Sequence, residues 1–378
     1  MSGEEKHVPL WAATARDQAI AKLTVVAQRN AGVIPYTTDS HGRFVDMAEK
    51  DPTWWTNGFW GGLMWQLYHV TGSQVFRDNA ETLEKQLDPN LMAADRMDHD
   101  NGFKWLPTAV TDFVLTGNPA SRNRGLLAAE NLAGRFNPVG NFIRAWNDKD
   151  DGTMAGRFII DCLMNLPLLY WASRVTHDPR FKFIAEKHAE TAVRYLLRPD
   201  GSVNHMVDLD PETGAYQDAP GGQGAGEGSS WTRGQGWALY GFALSYRHTG
   251  DSTFLTASQR VANYFLSRIP ASGLIPVDFA KPNDWEDTSA AAIAACGLLE
   301  LAEQVDSDAD AAVYRAGAER LLQVLTDKRA HFEDSTDYLL AKGTAAFHDD
   351  RHEFPMIYGD YFYLEGLLRL TGQALFIW

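Results

Sequence analysis

The segment Gly156-Arg-Phe-Ile-Ile-Asp-Cys-Leu-Met-Asn-Leu-Pro-Leu-Leu169 sets one carboxyl, Asp161, inside a run that is otherwise almost wholly apolar. A buried charge costs several kcal/mol unless it is paired or hydrogen-bonded, so such a carboxyl tends to raise its pKa and keep its proton. Asp161 is therefore either a structural acid neutralised by a partner or an acid poised for proton transfer. A second acid, Asp100, stands in Met97-Asp-His-Asp-Asn-Gly-Phe103, directly ahead of another apolar stretch. Two carboxyls facing a cleft are the equipment of sugar hydrolysis, one as acid and one as base or nucleophile. The bland alternatives are that Asp100 caps a helix or binds hydroxyls, and that Asp161 only accepts hydrogen bonds from its surroundings. His99 stands between Asp98 and Asp100 with no second His at helical spacing, which favours hydrogen bonding over metal ligation.

The surroundings of Asp161 pull in two directions. Phe158, Ile159, Ile160, Leu163 and Met164 would desolvate it and raise its pKa. Pro167 cannot sit deep in a regular helix, so a helix starts near it, and the positive end of that helix would lower the pKa. A carboxylate on a substrate, or on Asp100, would tip the balance toward the protonated form.

The other unusual residues also stand ahead of apolar stretches. They are Trp54-Trp-Thr-Asn-Gly-Phe-Trp60, Trp146 with the acidic cluster Asp148 to Asp151, the loop around His205, and the glycine-rich run from Gly221 to Trp237. Aromatic faces beside flexible glycine loops suit a sugar ring. The glycine-rich run lacks the Lys-Ser/Thr ending and the preceding strand of a phosphate loop, which argues against nucleotide binding.

The elements that position these loops are helical. Six turns recur: Val70-Thr-Gly-Ser73, Leu115-Thr-Gly-Asn118, Val175-Thr-His-Asp178, His248-Thr-Gly-Asp251, Val305-Asp-Ser-Asp308 and Leu370-Thr-Gly-Gln373. Gly just past a helix end supplies a left-handed cap, and the Ser, Asn or Asp after it supplies the next N-cap. Phe76, Phe181 and Phe254 follow three or four residues later, placed to pack the new helix onto the old. Helices before the turns are apolar throughout, as in Ala290 to Leu299, and those after them are one-sided, as in Arg180 to Ala189. This predicts an all-α chain, an (α/α)6 barrel of six inner and six outer helices. The segment Ala12 to Asn30 closes the outer ring; an irregular all-α domain is the alternative. Strand signals are weak.

A length of 378 residues with 45% apolar and 22% charged content fits a single globular domain over 1–378. A net charge of −15 argues against nucleic acid and anionic membrane as partners. Cys162 and Cys296 lie far apart in apolar surroundings and read as buried free thiols. The first residues, Met1 to His7, carry no apolar signal segment, and no apolar run reaches membrane-spanning length, so a cytoplasmic location is expected.

Five motifs occur in order: Trp-Thr-x-Gly-Phe-Trp at 55–60, His-Asp-x-Gly-Phe at 99–103, the Asp161 segment at 156–169, Ser-x-Trp-Thr-Arg-Gly-Gln-x-Trp at 229–237 and Gly-Asp-Tyr-x-Tyr-Leu-Glu at 359–365. Together they resemble the unsaturated glucuronyl hydrolases of glycoside hydrolase family 88, over nearly the whole chain. The resemblance implies an (α/α)6 barrel acting on oligosaccharides left by a polysaccharide lyase and ending in a 4,5-unsaturated uronic acid. It implies hydration of the vinyl-ether double bond, with Asp161 protonating C4 and then, as base, assisting water at C5. Asp100 would orient ring hydroxyls, and His205 and Gln223 would stand near the reacting carbons. Arg233 would meet polar groups of the ligand, Trp55, Trp146 and Trp237 would wall the sugar subsite, and His99 and Trp231 would lie beside them. No metal or organic cofactor is implied, and either a monomer or a dimer is compatible.

Two positions depart from the family pattern: Asn57, where relatives often carry Asp, and Gly222, where some carry His. The C-terminal loop Phe347-His-Asp-Asp-Arg-His-Glu-Phe-Pro355 lacks the hydroxyl and Lys residues of members that favour sulfated disaccharides, so non-sulfated or weakly sulfated substrates are expected. The rival readings are a related hydrolase of unsaturated rhamnogalacturonan or ulvan fragments, an N-acyl-sugar 2-epimerase on the same barrel, and a carbohydrate-binding protein without turnover. An epimerase would need paired histidines where these motifs present aspartates.

Overall fold

The computed structural model describes residues 8–93, 95–147, 154–282 and 284–378. Met1 to His7 and the Asp148 to Asp151 cluster lie outside the described residues. Twelve helical elements alternate between an inner and an outer ring. The inner ring holds α2 (Phe59–Thr71), the run from α5 (Asn101–Trp105) to α6 (Thr111–Thr116), α8 (Leu166–Thr176), α10 (Thr232–Thr249), α12 (Thr288–Ala302) and α14 (Ile357–Leu370). Around them stand α3 (Gln74–Gln86), α7 (Pro119–Gly134), α9 (Pro179–Tyr195), α11 (Ser252–Arg268) and α13 (Asp308–Lys328), and α1 (Leu10–Arg29) closes the ring against α14, α3 and α13. A short α4 (Asp88–Leu91) extends the outer side. The (α/α)6 expectation holds.

The turns form for the reasons their residues suggest. Gly72, Gly117, Gly250 and Gly372 adopt φ of 67°, 75°, 72° and 69°, where any side chain would be strained. His177 takes the same left-handed conformation at φ 59°. Asn118, Asp178, Asp251 and Ser307 accept a backbone N–H as N-caps, whereas Ser73 makes no such bond. Phe76, Phe181 and Phe254 are buried, as their spacing predicts. Every residue from Thr288 to Leu301 on α12 is buried, while α9 buries only the stripe Phe181, Ala185, His188, Ala189, Thr191 and Ala192. An inner helix buried all round and an outer helix buried on one side follow from those two patterns.

The second inner element is interrupted. Between α5 and α6 the chain makes a π-helical turn, Leu106–Val110, in which Thr111 Oγ1 donates to the Leu106 carbonyl at 2.7 Å. Pro107 has no N–H to give the ladder, and the wider turn absorbs that loss.

One end of the barrel is sealed by charge. Glu300 is fully buried and bonded to Arg247 and Arg369, and the Gln304 amide donates to it at 2.6 Å. Tyr240 donates to Glu365 at 2.6 Å and accepts from Arg369 at 2.8 Å, and the Trp378 indole donates to Glu365 at 2.9 Å. Burial alone would raise the pKa of Glu300, but the two guanidiniums outweigh it and hold the carboxyl below its usual value.

The opposite end carries the connections, and here strands appear that the sequence scarcely signals. β1 (Pro35–Thr38) pairs antiparallel with β2 (Phe44–Asp46), and β3 (Phe136–Asn137) with β4 (Phe142–Ile143). β5 (Arg157–Ile159), β6 (Met206–Leu209) and β7 (Tyr216–Asp218) form a three-stranded sheet, register Ile159 opposite Met206. That sheet delivers Asp161 and His205 to the same place. Cys162 and Cys296 are buried and free, and no helix among the described residues is long and apolar enough to cross a membrane.

Candidate active site

Asp161 sits in a 3-10 turn, Ile160–Met164, that ends β5 and leads into α8, with Pro167 in the first turn of that helix as its ring geometry favours. About 13% of its side-chain surface reaches solvent, yet Oδ1 is buried with no hydrogen-bond partner among the described residues. Burial pushes its pKa up to about 7, against the pull of the Arg233 charge and of its own backbone N–H. The charge of Arg233 is the largest opposing pull, and the repulsion between the two acids is felt at Asp100. Asp100 is raised well above the usual carboxyl range by burial first, then by Asp98 and Asp161, with Lys104 and an Asn165 hydrogen bond pulling back.

His205 faces Asp161 with Nε2 3.8 Å from Oδ1. Its Nδ1 accepts the Gln223 backbone N–H at 3.0 Å, so Nε2 carries the ring proton and points at the acid. Burial and the Arg233 charge lower its pKa to about 3, which keeps it a neutral donor at every working pH. A separation of 3.8 Å is too long for a hydrogen bond, so neither group answers the other. His99, buried and lowered to about 3, stands 3.5 Å from Asp100 Oδ1.

Arg233 is buried and stacked between Trp231 at 4.5 Å and Tyr358 at 5.4 Å. Its guanidinium donates to Asp287 at 2.6 Å, to the Thr344 carbonyl at 2.7 Å and to the Ala345 carbonyl. The sequence reading gives Arg233 to the ligand. The structure gives it first to Asp287 and the 344–345 segment, so it reaches the site mainly through its charge. Gln223 is tied to the same segment, its amide donating to the Ala345 carbonyl at 2.9 Å.

The aromatic side chains pack on shared neighbours. Trp55 packs 4.9 Å from Tyr358 and 5.4 Å from Phe103, and Trp237 lies 5.1 Å from Phe103. Trp231 meets the His205 ring at 4.5 Å, and Trp146 covers Ala145, Ile159 and Met206 beside the acid. Buried ring N–H groups of Trp231 and Trp237, like His205 Nε2, have no partner among the described residues. Such groups are costly unless something answers them. All ten residues singled out from the sequence therefore converge at one end of the barrel. A hollow of about 260 Å³ at the other end is lined by Arg247, Glu365, Arg369 and Trp378, whose charges already satisfy one another.

Reading by sequence missed Asn165, Lys104, Tyr358 and Asp287. It also underrated Gly222. At φ 58° a Cβ there would lie 1.9 Å from His205 Nδ1, so this loop conformation admits no side chain. Gly222→Ala should push His205 off Asp161 and lower kcat/KM at least tenfold on the order expected for an ångström-scale misplacement, with the melting temperature little changed. Unaltered kinetics would show that the His205 pose is unimportant.

The Glycosyl Hydrolase Family 88 profile matches residues 27–331. The unsaturated glucuronyl hydrolase of Bacillus sp. (strain GL1) is 36% identical over 374 residues, covering 96% of this chain and 98% of that protein. A crystal structure of the unsaturated glucuronyl hydrolase of Streptococcus agalactiae superposes with a TM-score of 0.91 at 28% identity, covering 100% of this chain and 98% of that one. An aspartate-to-asparagine variant of the Streptococcus agalactiae enzyme complexed with dGlcA-GalNAc6S superposes at 0.83 and 27% identity, covering 97% and 93%. With the family profile matching residues 27–331 and 96% of this chain aligned to a relative at 36% identity, the chain belongs to glycosyl hydrolase family 88.

Proposed function

We propose that the chain is a hydrolase that releases the terminal 4,5-unsaturated uronic acid from lyase-generated oligosaccharides, with Asp161 as general acid and base. The observation that carries this reading is a carboxyl with pKa about 7, open to solvent on one edge and faced by a neutral N–H donor at 3.8 Å. A carboxylic acid that keeps its proton near neutrality can give it to C4 of the enol ether. The cation that develops at C5 then lies against the carboxylate just formed. That carboxylate takes a proton from water as the hydroxyl adds to C5, which returns Asp161 to its starting state. The hemiketal opens, leaving a hemiacetal at C1 that expels the neighbouring sugar as an alcohol.

In this reading Asp100 holds ring hydroxyls, and His205, Trp231 and Trp237, whose ring N–H groups have no partner among the described residues, meet the polar edge of the sugar. Relatives named for unsaturated glucuronyl and chondroitin disaccharide hydrolysis support the substrate class. The 347–355 loop holds no Ser, Thr or Lys, which supports a preference for non-sulfated or weakly sulfated substrates. The continuous ring of helices supports treating 1–378 as a single catalytic domain, and action as monomer or dimer in the cytoplasm is part of the same proposal.

The test offers a panel of lyase-generated disaccharides and follows the ultraviolet absorbance of the conjugated C4=C5 bond, which hydration destroys. Turnover should fall as pH rises through about 7, because the reaction needs protonated Asp161. His99 and His205, already neutral, add no second limb near neutrality. Turnover of saturated glucuronides with every unsaturated one inert would overturn the reading.

A further inference from the structure

Asn165 stands at the junction between the two acids and has no assigned part. It is fully buried, and each of its polar atoms has a defined task. Its Oδ1 accepts the Phe103 backbone N–H at 2.8 Å, which fixes which side of the amide accepts. Nδ2 must therefore be the donor, and it lies 3.3 Å from Asp100 Oδ1 and 3.3 Å from the Asp161 carbonyl. One amide thus touches the first turn of α5, the carboxyl of Asp100 and the backbone of Asp161. The close approach is built in: a Cβ on Gly102 would lie 2.5 Å from Asn165 Cα and 2.7 Å from its Oδ1.

We propose that Asn165 is a positioning residue that aims the Asp100 carboxyl by donating to its Oδ1 while anchored on Phe103 and on the Asp161 turn. The proposal rests on the reading of Asp100 and Asp161 given above and deepens it. Asp100 has few other restraints. His99 is 3.5 Å away, and Asp98 accepts the Asp100 backbone N–H at 3.0 Å without touching the carboxyl it would orient. Without the amide donor, Asp100 Oδ1 keeps only the longer His99 contact among the described residues, and its rotation about χ2 loses its stop. Both 3.3 Å contacts are long, as expected of a clamp that tightens when substrate orders the site.

The test separates this role from simple packing. Asn165→Asp is isosteric and still accepts the Phe103 N–H, but it presents an oxygen to Asp100 where a donor stood. Positioning predicts a kcat about 100-fold lower per folded molecule with KM within about threefold, whatever the added buried carboxyl takes from the melting temperature. Asn165→Ser keeps an acceptor near Phe103 but cannot reach Asp100, and should lose kcat alike; it decides the matter if Asn165→Asp does not fold. In an Asp100→Asn background, Asn165→Asp should cost less than about twofold more, since the two act as one unit. A parent enzyme active on unsaturated disaccharides with Asn165→Asp within about twofold of it, or additive losses in the cycle, overturns the role of Asn165 alone. A parent inert on every unsaturated disaccharide overturns the functional reading and this role with it.

Discussion

Asp161→Asn should abolish turnover and at the same time stabilise the protein above neutral pH. Loss of a general acid costs about 10²–10⁴-fold in rate, and here the same group also serves as base, so the upper end is expected. The stability change follows from the direction of the pKa shift. In the unfolded chain this carboxyl ionises near its ordinary 3.8, whereas burial in the folded chain holds it to about 7. Folded protein therefore binds an extra proton between those values, and its stability falls as pH rises through that window. At pH 8 the folded wild type carries a poorly solvated carboxylate; the amide does not. A gain on the order of 2 kcal/mol at pH 8 is expected, disappearing below about pH 3, where the folded and unfolded wild type both hold the proton. Calorimetry at the two pH values, beside the absorbance assay, measures both effects. An Asn variant that keeps a tenth of wild-type turnover sinks the acid role. One that melts alike at pH 8 sinks the claim that burial holds the proton.

The largest loss of stability should come from the opposite end of the barrel. Glu300→Ala removes the carboxylate that answers Arg247 and Arg369, of which Arg369 is only 8% exposed in its side chain. Breaking a buried pair by removing one partner typically costs about 3–5 kcal/mol, and the lower end is expected because Arg247 keeps Glu303 at 3.2 Å and Arg369 keeps Glu365 at 3.7 Å. Tyr240, Glu365 and the Trp378 indole share the same network and would lose their geometry in turn. Glu300 lies about 18 Å along α12 from the end that holds Arg233, by the rise of the helix. Chemical denaturation should show the loss, while kcat per folded molecule stays near the wild-type value. A variant as stable as its parent would mean that the network is satisfied by water. The pH dependence has the opposite sign to that at Asp161. Glu300 is held below its usual pKa, so its contribution is present above the unfolded value and is lost as pH falls.

The ring of helices was legible because its punctuation is chemical. A left-handed cap needs glycine or a residue that tolerates positive φ, and an N-cap needs a short polar side chain, so four-residue turns announce themselves. Asp161 was legible for a similar reason: one acid among Ile, Cys, Leu and Met breaks a pattern. Asn165, four residues on, breaks it less visibly, since an amide can be buried with ordinary hydrogen bonds. The strands β5, β6 and β7 hold three or four residues each, too few for alternation to stand out. Arg233 looked free because its counterion Asp287 is remote in sequence and wears the pattern of a helix cap, which it also is. The lock at Gly222 depends on a ring that arrives from another loop, and no local signal encodes it.

The wide turn at Leu106–Val110 lets α5 and α6 keep separate phases. In a continuous helix each residue added or removed spins everything beyond it by about 100°. Were that turn tightened by one residue, Asp100 could not keep its place while Asp112 kept the hydrogen bonds it accepts from Ser121 and Asn118. The bulge thus works as a mechanical decoupler: the upper segment is timed to the sugar, the lower one to the scaffold, and neither has to yield to the other.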